Sequence, residues 1–196
     1  MMKTIAFAIA TAFVSGGIAM AAQGAAAKKF LLVNPPSGNK TLSYLSKNTS
    51  STVVGDPTAS GASYNVQLTP GGTQCLTMPA SGWTTLPGGF KYKDPQLTNG
   101  PVKLAMIKAT PSGHFLLKVL AKKAGVTVSP GNPTATYGTN FKINGGGDEY
   151  CASTGTAVPT KNDEKKFLVK NDTGVACTVT ACSSPSGAFL DASSAF

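Results

Sequence analysis

The chain has 196 residues, and its 17 basic residues are all lysine, set against eight carboxylates for a formal net charge of +9. That balance favours anionic partners, while the lack of arginine counts against sequence-specific nucleic-acid reading, because arginine supplies the commonest bidentate base and phosphate contacts. Twenty-two glycines and 13 prolines punctuate short apolar runs, which points away from a helical chain and towards a β domain rich in turns.

Residues 1–21, MMKTIAFAIATAFVSGGIAMA, read as a cleaved secretory signal peptide. Lys3 is the basic head, Ile5 to Val14 the apolar stretch, and Ala19-Met20-Ala21 a small-residue cleavage site after the Ser15-Gly16-Gly17 break. The run is short for a bilayer span of ~20 residues. The expected product is secreted, periplasmic or extracellular, with no transmembrane segment after cleavage. Without Lys3 it carries 16 lysines against eight carboxylates, a formal +8.

Beyond the signal, residues 22–182 are expected to form a single domain and 183–196 a loosely packed tail. Strands are expected at Phe30 to Val33 and Leu42 to Ser46, then at Ser63 to Leu68, where Tyr64, Val66 and Leu68 face one way and Asn65 and Gln67 the other. Phe90-Lys91-Tyr92-Lys93 repeats the alternation with aromatics inward and lysines outward. Val102 to Lys108 becomes apolar on both faces, the mark of a central strand. Phe115 to Leu120, Thr134 to Ile143, Phe167 to Val169 and Cys177 to Thr180 complete the set, separated by Pro- and Gly-rich turns such as Pro87-Gly88-Gly89 and Asn144-Gly145-Gly146-Gly147. About ten short strands at this spacing predict an all-β fold, an antiparallel β-sandwich of jelly-roll-like kind.

One internal echo stands out: Lys28-Lys29-Phe30-Leu31-Leu32-Val33-Asn34 recurs as Lys165-Lys166-Phe167-Leu168-Val169-Lys170-Asn171. The two segments are read as strands that pair or occupy equivalent positions.

Cys75, Cys151, Cys177 and Cys182 form an even set in an exported chain and are expected to oxidise to two disulfides. Zinc is not indicated, because Cys177 and Cys182 are five apart and His114 is the only histidine.

Several segments together are similar to an uncharacterised bacterial domain of exported proteins, sometimes found at the end of modular extracellular chains. They are Cys75-Leu76-Thr77-Met78-Pro79-Ala80-Ser81-Gly82-Trp83, Phe90-Lys91-Tyr92-Lys93-Asp94, Gly100-Pro101-Val102-Lys103, Tyr150-Cys151, and Lys166-Phe167-Leu168-Val169-Lys170-Asn171 followed by Cys177. Ala152-Ser153 stands where that domain usually has a glycine pair. No function is assigned to the domain, so the resemblance implies an extracellular setting and a shared fold. It also implies that Cys151 pairs with Cys177, which leaves Cys75 for Cys182. If Cys177 to Cys182 is extended, their sulfurs lie ~16 Å apart at about 3.3 Å per residue and cannot bridge each other. The competing pairing, Cys75 with Cys151 and Cys177 with Cys182, requires a turn over Thr178 to Ala181.

No catalytic, metal or cofactor motif is present. His114 reads as a turn residue, and most carboxylates fall in turns, where aspartate has a local backbone role. Asp148-Glu149 after three glycines could serve calcium or acid–base chemistry, but a turn entering the Tyr150 strand explains it more simply. The expected function is therefore non-catalytic: an envelope or extracellular structural, adhesion or binding role, with a lysine-rich surface contacting anionic polysaccharide or another envelope polymer. Trp83, Phe90, Lys91, Tyr92 and Lys93 are the candidate binding residues, aromatic faces for stacking on sugar with lysines beside them. The alternatives are a carbohydrate-processing enzyme using two of Asp94, Asp148 and Glu149 brought into one cleft, or a secreted inhibitor presenting Ser129 to Pro133.

Overall fold

Thr41–Asn48, Val102–Ala109 and Phe115–Lys122 alternate buried with more exposed residues, whereas Ala62–Thr69, Thr136–Ile143 and Glu149–Ser153 are buried almost throughout, and the hydrophobic core lies between two sheets. The computed structural model describes residues 22–183; the signal segment and, apart from Ser183, the expected tail lie outside the described residues. The strands are β1 (Ala22–Gly24), β2 (Ala27–Val33), β3 (Thr41–Asn48), β4 (Ala62–Thr69), β5 (Gly72–Met78), β6 (Trp83–Leu86) and β7 (Gly89–Lys93). They continue with β8 (Val102–Ala109), β9 (Phe115–Lys122), β10 (Thr136–Ile143), β11 (Glu149–Ser153), β12 (Lys161–Asp163) and β13 (Lys166–Lys170). Five form one sheet, in the order β1-β11-β10-β4-β5, and eight the other, in the order β12-β13-β2-β3-β9-β8-β7-β6. The fold is a β-sandwich, antiparallel except for β1, which pairs parallel with β11.

Because cross-strand partners share a face, each sheet contributes rows of in-register side chains to the core. Across the large sheet, Trp83, Tyr92, Ala105, Val119, Tyr44, Phe30 and Val169 lie side by side, all buried. The facing row of the small sheet is Tyr150, Phe141, Tyr64 and Leu76. Aromatic pairs join the two: Phe115 stacks on Tyr150 with centroids 5.2 Å apart, Phe30 on Tyr137 at 4.8 Å, and Trp83 meets Phe141 edge-on at 6.4 Å. Such pairs add roughly 0.5–1.5 kcal/mol each beyond the area they bury.

The repeated Lys-Lys-Phe-Leu segments are neighbours. β13 runs antiparallel to β2, with Phe167 opposite Leu32 and Val169 opposite Phe30. The chain also begins its first sheet crossing here, since β1 belongs to the small sheet and β2 to the large one.

Both disulfides follow the pairing implied by the resemblance: Cys75–Cys182, with Cα atoms 5.7 Å apart, and Cys151–Cys177, at 5.0 Å. The expected strand over Cys177–Thr180, however, is not formed. Instead residues 175–182 cross the outer face of the small sheet as an irregular strap. One in-register row of that sheet, Gly24, Cys151, Asn140, Asn65 and Cys75, receives it strand by strand. Val175 sits over Gly24, Cys177 is bonded to Cys151, the Asn140 amide donates to the Val179 carbonyl at 3.1 Å, the Asn65 amide donates to the Thr180 carbonyl at 2.8 Å, and Cys182 closes on Cys75. The strap's backbone satisfies part of its hydrogen bonding through asparagine side chains rather than through a strand partner, which is why β propensity misleads here.

Candidate functional site

Among the predicted binding residues the large sheet makes a sharp division. Trp83 and Tyr92 are cross-strand partners on the inner face, their centroids 5.5 Å apart, with 5% and 0% of their surface exposed. Trp83 donates through Nε1 to the Met78 carbonyl at 3.3 Å. Phe90, two residues before Tyr92, points the same way and is half-buried against the core. Neither Trp83 nor Tyr92 presents a free ring face. Lys91 and Lys93 point the other way, as the alternation requires, onto the outer face of the large sheet.

Following Lys91 and Lys93 across the register reveals two mixed rows. The first runs Lys91, Met106, Lys118, Leu45, Lys29, Lys170, from β7 through β8, β9, β3 and β2 to β13. The second runs Lys93, Leu104, Leu120, Ser43, Leu31, Leu168 and ends at Lys161 on β12. At strand spacings of about 4.8 Å the first row extends ~24 Å and the second ~29 Å across the sheet. Leu31, Leu45, Leu104, Met106 and Leu120 are half-buried, Lys93, Lys118 and Lys170 exposed. The apolar second face of β8 read from the sequence is thus present, but among the described residues it lies in this outer surface and not beneath another layer.

No carboxylate interrupts either row. Among the described residues the one ion pair is Lys142–Glu149, 3.2 Å, on the small sheet. Asp94 follows Lys93, but its oxygens accept from the Asn99 N–H at 2.7 Å and from the Thr98 N–H and hydroxyl at 3.1 and 3.2 Å. Those bonds, the Asn99 N–H foremost, hold its carboxyl below the ordinary carboxylate range, so it caps its own loop as an anion. Asp163 stands at the β12 edge opposite Lys166 and accepts from the backbone N–H groups of Lys165 and Lys166.

The carboxylates weighed for catalysis are each engaged by neighbours of their own. Asp148, in the turn before β11, accepts from the Gln23 amide at 2.6 Å, and Glu149, at the start of β11, from Asn140 at 2.8 Å and Lys142 at 3.2 Å, whereas Asp94 belongs to the loop between β7 and β8. His114 sits in the β8–β9 turn with Nδ1 3.1 Å from the Ser112 hydroxyl. Among the described residues no group of three or more His, Cys, Asp or Glu side chains is placed to hold a metal ion.

The mixed rows could not be read from any one strand. Lys91 and Lys93 were visible as outward lysines, but their company, Lys29 and Lys118 with Leu104 and Leu120, depends on the order and register of strands far apart in sequence.

The chain matches no protein-family model, no curated protein and no solved structure.

Proposed function

We propose that the protein is an exported, non-catalytic bacterial domain with a structural, adhesive or binding role in the envelope or outside the cell, and that it contacts anionic polymers through the outer face of its large sheet. The observation that carries this reading is the pair of lysine-bearing rows with no carboxylate among their members. Lys91 and Lys93 are its contact residues from β7. Trp83, Phe90 and Tyr92 support it from below, by fixing β6 and β7 on the core. The signal-like leader and the two disulfides support an oxidising, exported setting.

Binding of the oxidised protein to isolated envelope polysaccharides and peptidoglycan across a salt series tests the proposal. Exposed charges are screened within ~10 Å at 0.1 M salt. Attachment that fades by moderate salt is the expected result; no attachment at any salt would dismiss the role of the face.

A further inference from the structure

The two rows hold more than charge. Met106 and Leu45 alternate with the lysines of the first, and Leu104, Leu120 and Leu31 stand half-buried in the second, beside Leu168, which is already buried. A hydrated polyanion gives such side chains nothing to bury against. A bilayer with anionic headgroups gives both: phosphate at the height of the ammonium groups and acyl carbon beneath it. Lysine suits that boundary, because its four-carbon stem lies along apolar surface while its charge stays at the polar level.

At one point the surface is also concave. Leu104 and Leu120, directly opposite each other on β8 and β9, line a hollow of about 350 Å³ together with Lys93, Lys103 and Pro95. Lys93 and Lys103 thus line a largely apolar depression, and the nearest carboxylate in sequence, Asp94, is turned into its own loop. This combination fits an amphiphile whose charge and hydrocarbon are adjacent.

We infer that the outer face of the large sheet docks on an anionic lipid bilayer, with Lys93 and Lys103 holding a lipid phosphate and Leu104 and Leu120 receiving the hydrocarbon next to it. The inference rests on the basic-face reading and narrows its partner from anionic polymers in general to a lipid surface. Electrostatic attraction to such a surface contributes about a fivefold gain in affinity per lysine near it.

The test compares the oxidised full chain on vesicles of phosphatidylcholine alone, on vesicles that also contain phosphatidylglycerol, and on dextran sulfate as a soluble polyanion. Expected is attachment to the phosphatidylglycerol vesicles and not to the neutral ones, weakened at least tenfold by Leu104→Ser/Leu120→Ser, with dextran sulfate binding unchanged by that variant. Lys93→Gln/Lys103→Gln should weaken both anionic interactions. Buried-type emission from Trp83 checks that each variant is folded. Should the serine variant unfold, Leu120→Trp in a Trp83→Phe background reports instead, its emission quenched by bromine-labelled acyl chains if position 120 meets hydrocarbon. Dextran sulfate bound while phosphatidylglycerol vesicles are not, vesicle binding indifferent to the serine variant, or no quenching at position 120 would overturn the lipid inference and leave the basic-face reading standing. Binding to neither anionic probe would overturn both.

Discussion

Asn65 on β4 reaches out of its sheet and donates through its side-chain amide to the carbonyl of Thr180, 2.8 Å away. It stands directly opposite Cys75, whose disulfide to Cys182 ends the same strap two residues later. A polar side chain that looks destined for solvent is thereby covered, with 8% of its surface exposed. Residues 175–182 cover the outer side of the small sheet, whereas among the described residues the outer side of the large sheet presents its lysines and half-buried leucines.

The two disulfides should contribute unequally. Cys75–Cys182 spans 107 residues and Cys151–Cys177 spans 26. In the chain-entropy account the longer loop is worth about 1 kcal/mol more, within the usual range of about 2–4 kcal/mol per bridge. Chemical denaturation of Cys75→Ser/Cys182→Ser should therefore show the larger loss, and a peptide map of the oxidised protein should recover these two links. Recovery of a Cys177–Cys182 peptide would contradict the strap.

Gly138 on β10 tests the strap by steric means alone. A methyl group there would come within 2.5 Å of Thr178 Oγ1 and 2.6 Å of Val179 Cγ2. Gly138→Ala should destabilise by about 1–3 kcal/mol, the usual range for overpacking, and the cost should shrink when Thr178→Ala and Val179→Ala are added. Additive effects in that cycle would mean that the strap does not lie on Gly138.

Much of this architecture was legible in the sequence, for identifiable reasons. Tyr64, Val66 and Leu68 alternate with polar neighbours, so β4 declared both its conformation and its core face. The repeated Lys-Lys-Phe-Leu motif marked β2 and β13 as strands that pair or occupy equivalent positions, and the register of Phe167 opposite Leu32 makes them partners. β1, β5, β6 and β12 were not anticipated as strands: three are only three or four residues long, and β5, Gly72–Met78, is an edge strand whose exposed positions blur its pattern. The strap was missed as such because its partners are Asn65, Asn140 and Gly138, residues that in a strand ordinarily signal solvent or a weak point.

Asp172 joins the end of β13 to the loop after β11 and to β10. Its carboxylate accepts from the N–H groups of Gly155, Ala157 and Thr173 and from the Tyr137 hydroxyl, at 2.9 to 3.1 Å. Burial alone would raise this carboxyl, but those four donors outweigh it and bring it below its ordinary range. A carboxyl with a folded pKa below its unfolded value of about 3.9 gives stability that is full above that value and lost as pH falls through the folded one. Asp172→Asn should cost about 2 kcal/mol at neutral pH and flatten the acid limb of the stability profile. Identical acid limbs would remove Asp172 from that role.

Trp83 should report the core directly. Its emission should be that of a buried indole and resist aqueous quenchers, and Trp83→Ala should cost about 3–5 kcal/mol in chemical denaturation. Ready quenching by a water-soluble agent would place the ring at the surface and return it to the candidate contact residues.

The outer face of the large sheet carries the proposed contact. The measurement that tests it most directly is attachment to anionic envelope material at low salt, comparing wild type with Lys29→Gln/Lys91→Gln/Lys118→Gln and with a control, Lys123→Gln/Lys165→Gln, altered outside the rows. Loss of attachment in the triple variant, with the control retaining most of it, is the predicted result. Equal retention by both variants, or greater loss in the control, would show that the lysine rows are not the contact surface.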